Sequence, residues 1–334
     1  MSAEKQNRAT EALNSIADAI GQTPLVRLNR IGKINGHNLF AKCEFMNPGG
    51  SVKDRIAFHM LKAAEKEGKL KAGQLIVEAT GGNTGIGLAM AATLAGYKLL
   101  CVMSEKVGKQ KVEMMKLFGA EVLVVAGGKS PDDPLHFINQ AKQIARERNA
   151  WFADQFDNKD NFAAHYQTTG PEIWEQSEGK VDALVAGIGT GGTLCGAGQF
   201  LKEQKPGLEL VLADPVGSLL SSFHEGKEGT VGSYLVEGIG QDFIPGIVDL
   251  KKIDKAYQVS DQESLKMTYE LLSKEAIFVG ASSGCNLAAA IKYCQNSSAR
   301  ELNVVVVLPS SGHLYTSTVF NKEWLQARSH SIEI

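Results

Sequence analysis

The sequence ALVAGIGTGGTLCGAGQFLKE, residues 183–203, shows the pattern that organises the whole chain. Ala183–Ala186 is continuously apolar, as a strand buried on both faces is, and a helix is predicted over Gly192–Glu203. Between them, four glycines alternate with two threonines, so backbone amides, hydroxyls and a helix dipole converge on one spot. The residues of this candidate phosphate-binding loop are Gly189, Thr190, Gly191, Gly192 and Thr193. The alternative is a glycine-rich turn that binds nothing.

The same order of strand, loop and helix recurs along the chain, which predicts an α/β fold with mostly parallel, doubly wound sheets and ligands at the carboxyl ends of strands. Gly217–Pro245, rich in glycine, serine and charge, is predicted to be a long mobile connection. The predicted strands are Leu39–Glu44, Leu75–Glu78, Lys98–Met103, Glu121–Val125, Trp151–Asp154, Ala183–Ala186, Glu209–Asp214 and Asn303–Leu308. The predicted helices are Val52–Gly68, Asn83–Ala95, Lys109–Phe118, Leu135–Arg148, Gly192–Glu203, Gln262–Glu275 and Asn286–Gln295.

The loop after Ala186 also satisfies the pattern G-x-G-x-x-G, and Asp214 closes the next strand about 20 residues later, as in a nicotinamide-binding unit. An NAD-dependent oxidoreductase is therefore an open alternative. The late position of this pattern in the chain argues against it.

A second junction, PGGSVKDR at 48–55, places a lysine at a helix start. Ser51 is a plausible N-cap and Asp54 follows three residues later, which predicts a capping box. Lys53 then faces the positive end of the helix dipole, which lowers the pKa of its ammonium group. A lysine with a lowered pKa suits imine chemistry. An ordinary solvated lysine is the alternative.

Two further loops carry candidate binding residues. After the strand Leu75–Glu78, two glycines allow a tight turn whose amides would favour a carboxylate or a phosphate, although the turn could be purely structural. The residues of this loop are Thr80, Gly81, Gly82, Asn83 and Thr84. Gly280–Gly284 precedes the predicted helix Asn286–Gln295, and Ser282 with Ser283 could simply cap it.

Composition excludes several classes of protein. With 334 residues, 43% hydrophobic and 22% charged, the chain suits one large or two smaller globular domains. A net charge of −2 gives no bulk attraction to nucleic acid or anionic membranes. The amino-terminal MSAEKQNRATEAL has no apolar leader region, so a cytoplasmic location is expected. Five separated cysteines without C-x-x-C, scattered histidines and no G-x-S-x-G predict no disulfide framework, no metal site and no serine hydrolase.

The lysine motif, the two loops and the late serine pair together resemble the fold-type II pyridoxal-phosphate enzymes of the cysteine synthase and cystathionine β-synthase family. The resemblance runs from about Gly21 to Pro309 and includes Asp154-Gln155-Phe156, His165-Tyr166, Thr168-Thr169-Gly170 and Gly238-Ile239-Gly240. It implies two three-layer α/β domains like those of the tryptophan synthase β chain. The smaller would comprise residues 45–155, and the larger 1–44 with 156–334.

The resemblance also implies residue roles. Lys53 would hold pyridoxal 5′-phosphate as an imine and later remove the α-proton, and Asn83 would bind the phenolic oxygen of the cofactor. The loop from Gly189 to Thr193 would bind the phosphate, and Ser282 would face the pyridine nitrogen. The substrate carboxylate would lie on the loop Thr80–Thr84 with help from Gln155, near Gly238.

Two departures from the family pattern concern the substrate. The family loop usually reads E-P-T-S-G-N-T, whereas Ala79 and Gly81 replace its proline and serine, so a substrate-facing hydroxyl is lost. The turn Glu237–Pro245 carries an acidic residue, Asp242, as cystathionine β-synthases do, and this residue would attract an amino-bearing second substrate. The segment Thr169–Trp174, in contrast, is similar to the corresponding segment of cysteine synthases.

The sequence therefore predicts β-replacement on O-acetylserine or serine by sulfide or a thiol, with cysteine as the leading product. Cystathionine or another thioether, and desulfhydration of cysteine, are the nearest alternatives. A ligand-binding relic without turnover is a further one. A homodimer is usual in the family, and the resemblance also implies the carboxyl-terminal tail of serine acetyltransferase as a partner.

Overall fold

A computed structural model describes residues 12–31, 33–105, 107–299 and 301–328. Residues 1–11, on which most of the expectation about the amino terminus rests, lie outside this range. The strands in chain order are β1 Leu25–Arg27, β2 Lys33–Ile34, β3 His37–Lys42, β4 Leu75–Ala79, β5 Lys98–Ser104, β6 Glu121–Val125, β7 Trp151–Phe152, β8 Ala183–Gly187, β9 Glu209–Pro215, β10 Lys255–Val259 and β11 Asn303–Val307.

Most helices lie between these strands, and α11 follows the last of them. The α-helices are α1 Lys53–Lys66, α2 Asn83–Ala95, α3 Lys109–Leu117, α4 Phe137–Glu147, α5 Lys159–Ala164, α6 Gly170–Gln176, α7 Gly198–Gln204, α8 Leu220–His224, α9 Asp261–Glu275, α10 Ala281–Asn296 and α11 Lys322–Gln326. Two π-helical turns, His165–Thr169 and Gly192–Ala197, precede α6 and α7. Short 3₁₀ turns occur at Ile16–Ala19, Glu44–Met46, Leu250–Lys252 and Gly312–Tyr315.

The strands form two sheets. The larger sheet has the order β1-β3-β11-β8-β9-β10, with β2 paired to β3, and the smaller has the order β6-β5-β4-β7. Pairing is parallel except where β1 and β2 join β3. The smaller sheet uses residues 75–152, and the larger uses 25–42 and 183–307. The predicted domain limits are compatible with this distribution and stay a prediction.

Strand β11 shows why the larger sheet is covered on both faces. Val304 and Val306 enter one apolar cluster together with residues of α9 and α10. Val305 and Val307 point the other way into a second cluster that contains Leu201 of α7. Because alternate residues of a strand face opposite sides, a run of four valines can only be buried if helices cover both faces. The predicted doubly wound α/β fold is confirmed.

The structure corrects several local predictions. Helix α1 begins at Lys53, one residue later than predicted, so its N-cap is Val52 instead of Ser51, and no capping box forms. Helix α10 begins at Ala281 after Gly280, so Ser282 and Ser283 lie inside its first turn instead of preceding it. Strand β10 and helices α5 and α6 were not predicted, because the strand has only a weak alternation of apolar and polar residues and the helices are only six and seven residues long.

The segment Gly217–Pro245, expected to be a loose connection, contains α8 and is held by main-chain hydrogen bonds. Leu219 donates to Gln241 at 2.8 Å, and Gly240 donates to Ile188 at 2.8 Å. These bonds fix the turn 237–241 against the loop after β8. In the described part of the chain, no helix is long and apolar enough to cross a membrane.

Candidate active site

A cavity of about 310 Å³ lies at the carboxyl ends of β4 and β8, between the two sheets. This is where parallel α/β folds place their ligands, and the size is in the range of small-molecule sites. Most residues predicted from the sequence line it together: Lys53, Thr80, Gly81, Gly82, Asn83, Thr84, Gln155, Gly189, Thr190, Gly191, Thr193, Gly238 and Ser282. Gly192 and Asp242 are the two predicted residues that do not line it.

Lys53 is the first residue of α1, and its Nζ lies 3.4 Å from Thr190 Oγ1. Burial lowers the pKa of Lys53 to about 8. This is the predicted direction, and removal from water is the cause of the shift. Asp54 reaches back across the turn and accepts from the Gly49 amide at 2.6 Å. This bond holds the turn that delivers Lys53 to the cavity.

The loop between β4 and α2 is held by its own side chains. Thr80 Oγ1 accepts from the amides of Gly82 at 3.0 Å and Gly85 at 3.2 Å. Thr84 donates to Gln155 Oε1 at 2.6 Å, and Gln155 Nε2 donates to the Ala79 carbonyl at 2.7 Å. Both polar groups of Gln155 are thus used to hold the loop. What the loop offers a ligand is the first amides of α2, which have no partner within the helix.

The glycine-rich loop after β8 presents two hydroxyls to the cavity. Thr190 and Thr193 are both buried, and Gly191 between them has φ +93°, a conformation that favours glycine. Asn161 Nδ2 donates to Thr190 Oγ1 at 2.8 Å. His165 Nε2 lies 3.2 Å from Thr193 Oγ1. Two uncharged side chains, Asn161 and His165, therefore support the loop from the side that faces away from the cavity.

Three residues at the site were not singled out from the sequence. Lys111 of α3 is 1% exposed, its Nζ lies 2.6 Å from Glu237 Oε2, and it stands 4.2 Å from the centre of the Tyr315 ring. Although burial favours a neutral amine, Tyr315 and Glu237 raise the pKa of Lys111, so it is a cation. Tyr315 Oη also accepts from Asn83 Nδ2 at 3.2 Å. The one signal in the sequence that could have identified Lys111 is its spacing of four residues from Met115, with which it shares the buried face of α3.

Asp214 and Asp242 lie away from the cavity lining. Asp214 is fully buried and its Oδ2 accepts from the Ser221 amide at 2.7 Å. It therefore caps a helix start and is not available to a ribose, which removes the support for a nicotinamide site. Asp242 is half-buried and lies near His136; burial lowers the pKa of His136, and the Asp242 carboxylate only opposes this shift. Among the residues that the structure describes, no group of three acidic, histidine or cysteine side chains could hold a metal ion.

Comparison with known proteins agrees with this geometry. The family model described as "Pyridoxal-phosphate dependent enzyme" matches residues 16–310. Cystathionine beta-synthase of Apis mellifera is 43% identical over 327 residues, which cover 97% of this chain and 64% of that protein. Cysteine synthase 1 of Emericella nidulans is 40% identical over 329 residues, covering 96% of this chain and 88% of that protein.

A solved structure, that of O-ureido-L-serine synthase, superposes with a TM-score of 0.85 and 32% sequence identity, covering 93% of this chain and 96% of that one. The chain spans less than two thirds of the length of the Apis relative. The family match nevertheless extends over most of the described residues. It includes every loop that lines the cavity, because the lining residues all lie within residues 16–310. The chain is an enzyme that belongs to the pyridoxal-phosphate dependent family, and pyridoxal 5′-phosphate is its cofactor.

Proposed function

We propose that the enzyme replaces the β-substituent of serine or O-acetylserine by sulfide or a thiol, with cysteine as the leading product. The observation that carries this proposal is the position of Lys53, a lysine with a pKa of about 8 between the loop that begins α2 and a hydroxyl-lined glycine loop. The cysteine synthase and cystathionine beta-synthase names of the relatives support the same chemistry.

The cavity residues fit the cofactor. Thr190 and Thr193 offer hydroxyls at the start of a helical segment, a suitable place for a phosphate. At the opposite wall, Asn83 Oδ1 is buried without a hydrogen-bond partner among the described residues, so it can accept a hydrogen bond from an O–H or N–H group of a ligand. Ser282 lies 3% exposed on the cavity wall and offers a neutral hydroxyl to a ring nitrogen.

Pyridoxal phosphate, when bound, withdraws electrons from the α-carbon of an attached amino acid. Lys53 supplies the amine that joins the cofactor to the protein. Lys53 would also serve as the base for the α-proton of the substrate, because a pKa of about 8 leaves part of its amine neutral near pH 7. Asn83 and Thr84, at the start of α2, hold the substrate carboxylate with their amides.

A thiol-bearing amino acid as second substrate is the alternative that a specific observation favours. The ion pair of Lys111 and Glu237 lines the cavity, and Glu237 is 23% exposed toward it. Sulfide has no ammonium or carboxylate group for these charges to bind. A second amino acid has both, and the product would then be a thioether.

The test starts from the purified enzyme. We expect a visible absorbance band of bound cofactor that changes when O-acetylserine or serine is added, and a product that contains the added sulfur nucleophile, identified by mass spectrometry. A band that no amino acid changes would indicate a binding relic instead of a catalyst. Sulfide released from cysteine alone would make desulfhydration the activity.

The setting of the enzyme is also a proposal. We infer a cytoplasmic homodimer, since all five cysteines are buried free thiols, as in a reducing compartment, and symmetric dimers are the commonest assemblies. Binding of a serine acetyltransferase tail would add a regulatory partner. Light scattering tests the dimer, and titration with a peptide of that tail tests the partner.

A further inference from the structure

Helix α5 and the π-helical turn after it press closely against the glycine loop. A Cβ on Gly192 would lie 1.9 Å from Asn161 Oδ1, and a Cβ on Gly196 would lie 2.4 Å from the Phe162 carbonyl oxygen. Because residues 192 and 196 are glycines, Asn161 and His165 can reach the side of the glycine-rich loop that faces away from the cavity. Both side chains are 0% exposed, and neither lines the cavity.

The hydrogen bonds of Asn161 fix the role of Thr190. Asn161 Nδ2 lies 2.7 Å from the carbonyl oxygen of Gln155, which can only accept. The amide orientation is thereby set, and the second N–H of Asn161 points at Thr190 Oγ1. In the cofactor-free chain Lys53 Nζ, also a donor, lies 3.4 Å from the same oxygen. Thr190 therefore accepts at these contacts, and its own proton is left for a ligand in the cavity.

His165 stands in the same relation to Thr193, but with two possible proton arrangements. Its Nδ1 lies 2.9 Å from Thr169 Oγ1 and its Nε2 lies 3.2 Å from Thr193 Oγ1. Burial and the charge of Arg55 lower the pKa of His165 to about 3, so the ring is neutral, with one donor and one acceptor nitrogen. The proton is on Nδ1 or on Nε2, and only the second arrangement frees the Thr193 hydroxyl to donate into the cavity.

We propose that Asn161 and His165 are positioning residues that hold the hydroxyls of Thr190 and Thr193 as acceptors, so that both hydroxyl protons point at the phosphate of the cofactor. The inference rests on the proposed cofactor site. A phosphate dianion accepts hydrogen bonds and does not donate them. Because it lies at the cavity end of this series of hydrogen bonds, it fixes the direction in which every proton of the series points. Thr169 donates to Nδ1, Nε2–H donates to Thr193, and Thr193 donates to the phosphate.

The first test is a set of double-mutant cycles on the dissociation constant of pyridoxal phosphate, measured by absorbance without turnover. His165→Leu should weaken binding about 3- to 10-fold in the unmodified enzyme and less than about twofold when Thr193→Val is already present. Asn161→Ala should behave in the same way toward Thr190→Val. The crossed pairs, His165→Leu with Thr190→Val and Asn161→Ala with Thr193→Val, are the matched controls and should be additive.

His165→Gln keeps a side-chain N–H near the position of Nε2 and should restore most of the affinity that His165→Leu loses. A purely structural role would instead make the His165 and Thr193 effects additive and move the thermal unfolding of the cofactor-free protein by the same amount in both variants. Additivity between His165→Leu and Thr193→Val, or between Asn161→Ala and Thr190→Val, would overturn the proposal, even if the enzyme binds the cofactor normally.

The second test does not depend on whether His165→Leu folds. In holoenzyme labelled with ¹⁵N-histidine, the ring signals of His165, identified by their loss in His165→Gln, should show the neutral tautomer with the proton on Nε2. A proton on Nδ1 would overturn the proposal, because Thr193 would then have to donate to the ring. Failure of the unmodified enzyme to retain pyridoxal phosphate would instead contradict the proposed function.

Discussion

Lys111 Nζ lies 2.6 Å from Glu237 Oε2, and this contact joins helix α3 beside the smaller sheet to the turn that packs on the loop after β8. The two residues are 126 positions apart in the chain. A buried cation with one carboxylate partner is costly to leave unpaired, so the contact stabilises the arrangement in which both walls of the cavity face each other. It also places two opposite charges where a second substrate would approach.

The first prediction concerns the second substrate. Lys111→Met should lower kcat/KM for homocysteine or cysteine as acceptor by about tenfold or more, and for sulfide by less than about threefold, because only an amino acid loses a charge-assisted hydrogen bond of about 1.5–3 kcal/mol. Lys109→Met, at an exposed position of the same helix, is the control. An equal loss with sulfide and with thiols would show that the pair supports the fold and does not select the acceptor.

The second prediction concerns the lysine that carries the cofactor. Lys53→Ala should abolish turnover and leave no cofactor attached to the chain, because no other lysine both lines the cavity and lies beside Thr190 among the described residues. Borohydride reduction followed by peptide mass spectrometry of the unmodified enzyme should find the cofactor on Lys53. The exposed Lys109→Ala should bind and react normally. Labelling at a different lysine would refute the assignment.

Lys53 also predicts a pH dependence. In the cofactor-free chain its amine is neutral above about pH 8, whereas an ordinary lysine is neutral only above about pH 10.4. The rate of covalent capture of pyridoxal phosphate should therefore rise with an apparent pKa of about 8 and level off above it. Stopped-flow absorbance across pH 6 to 10 measures this rate. A rate that still rises steeply above pH 9 would mean that burial does not shift this group.

The fourth prediction concerns a buried ionic group beside the site. Arg55 bonds Glu44 at 2.7 Å and Glu172 at 2.7 Å, and although burial favours the neutral acid, Arg55 holds the pKa of Glu44 at about 2. Because the folded-state pKa of Glu44 is lowered, its contribution to stability is full above about pH 4.3 and is lost as pH falls toward 2.

Glu44→Gln should therefore lower the unfolding free energy by about 3–5 kcal/mol at pH 7, since it leaves Arg55 with one buried partner fewer. The difference from the unmodified chain should shrink as pH falls from 4 to 2, as followed by urea midpoints. Glu67→Gln, whose partner Lys69 is 65% exposed, should leave the midpoint unchanged. A constant difference across this pH range would contradict the shifted pKa.

The architecture and most of the cavity could be predicted from the sequence because their signals are local. Helix Asn83–Ala95 and strand Glu121–Val125 have the predicted bounds, since glycine ends the helix at Gly96 and an unbroken apolar run marks the strand. Strand Lys255–Val259 was missed because a half-exposed edge strand with two polar residues gives a weak alternation. The position of Lys111 could not be predicted, because its burial depends on Glu237 and Tyr315, which are distant in the chain.

The last prediction concerns Gly81, where the substrate loop lacks the hydroxyl that its family usually carries. A Cβ at Gly81 would meet no described atom within 4 Å, and the residue is not in the left-handed region, so Gly81→Ser fits without strain. The added hydroxyl lies on the cavity wall and can form one hydrogen bond to the bound amino acid, worth about 0.5–1.5 kcal/mol. We therefore expect an intact enzyme with normal cofactor affinity and a two- to tenfold change in kcat/KM for serine relative to O-acetylserine.

Asp242→Ala is the comparison for that variant, because Asp242 does not line the cavity and can act on a substrate only through its charge. Asp242→Ala should leave the ratio of kcat/KM for serine and O-acetylserine unchanged. It should also lower kcat/KM for amino-bearing thiols relative to sulfide, but by less than Lys111→Met does. Competition assays with sulfide, cysteine and homocysteine measure these ratios. If Gly81→Ser leaves the ratio of the two donors unaltered, the bound substrate lies out of reach of position 81, and the carboxylate site must be built from the α2 amides further along the loop.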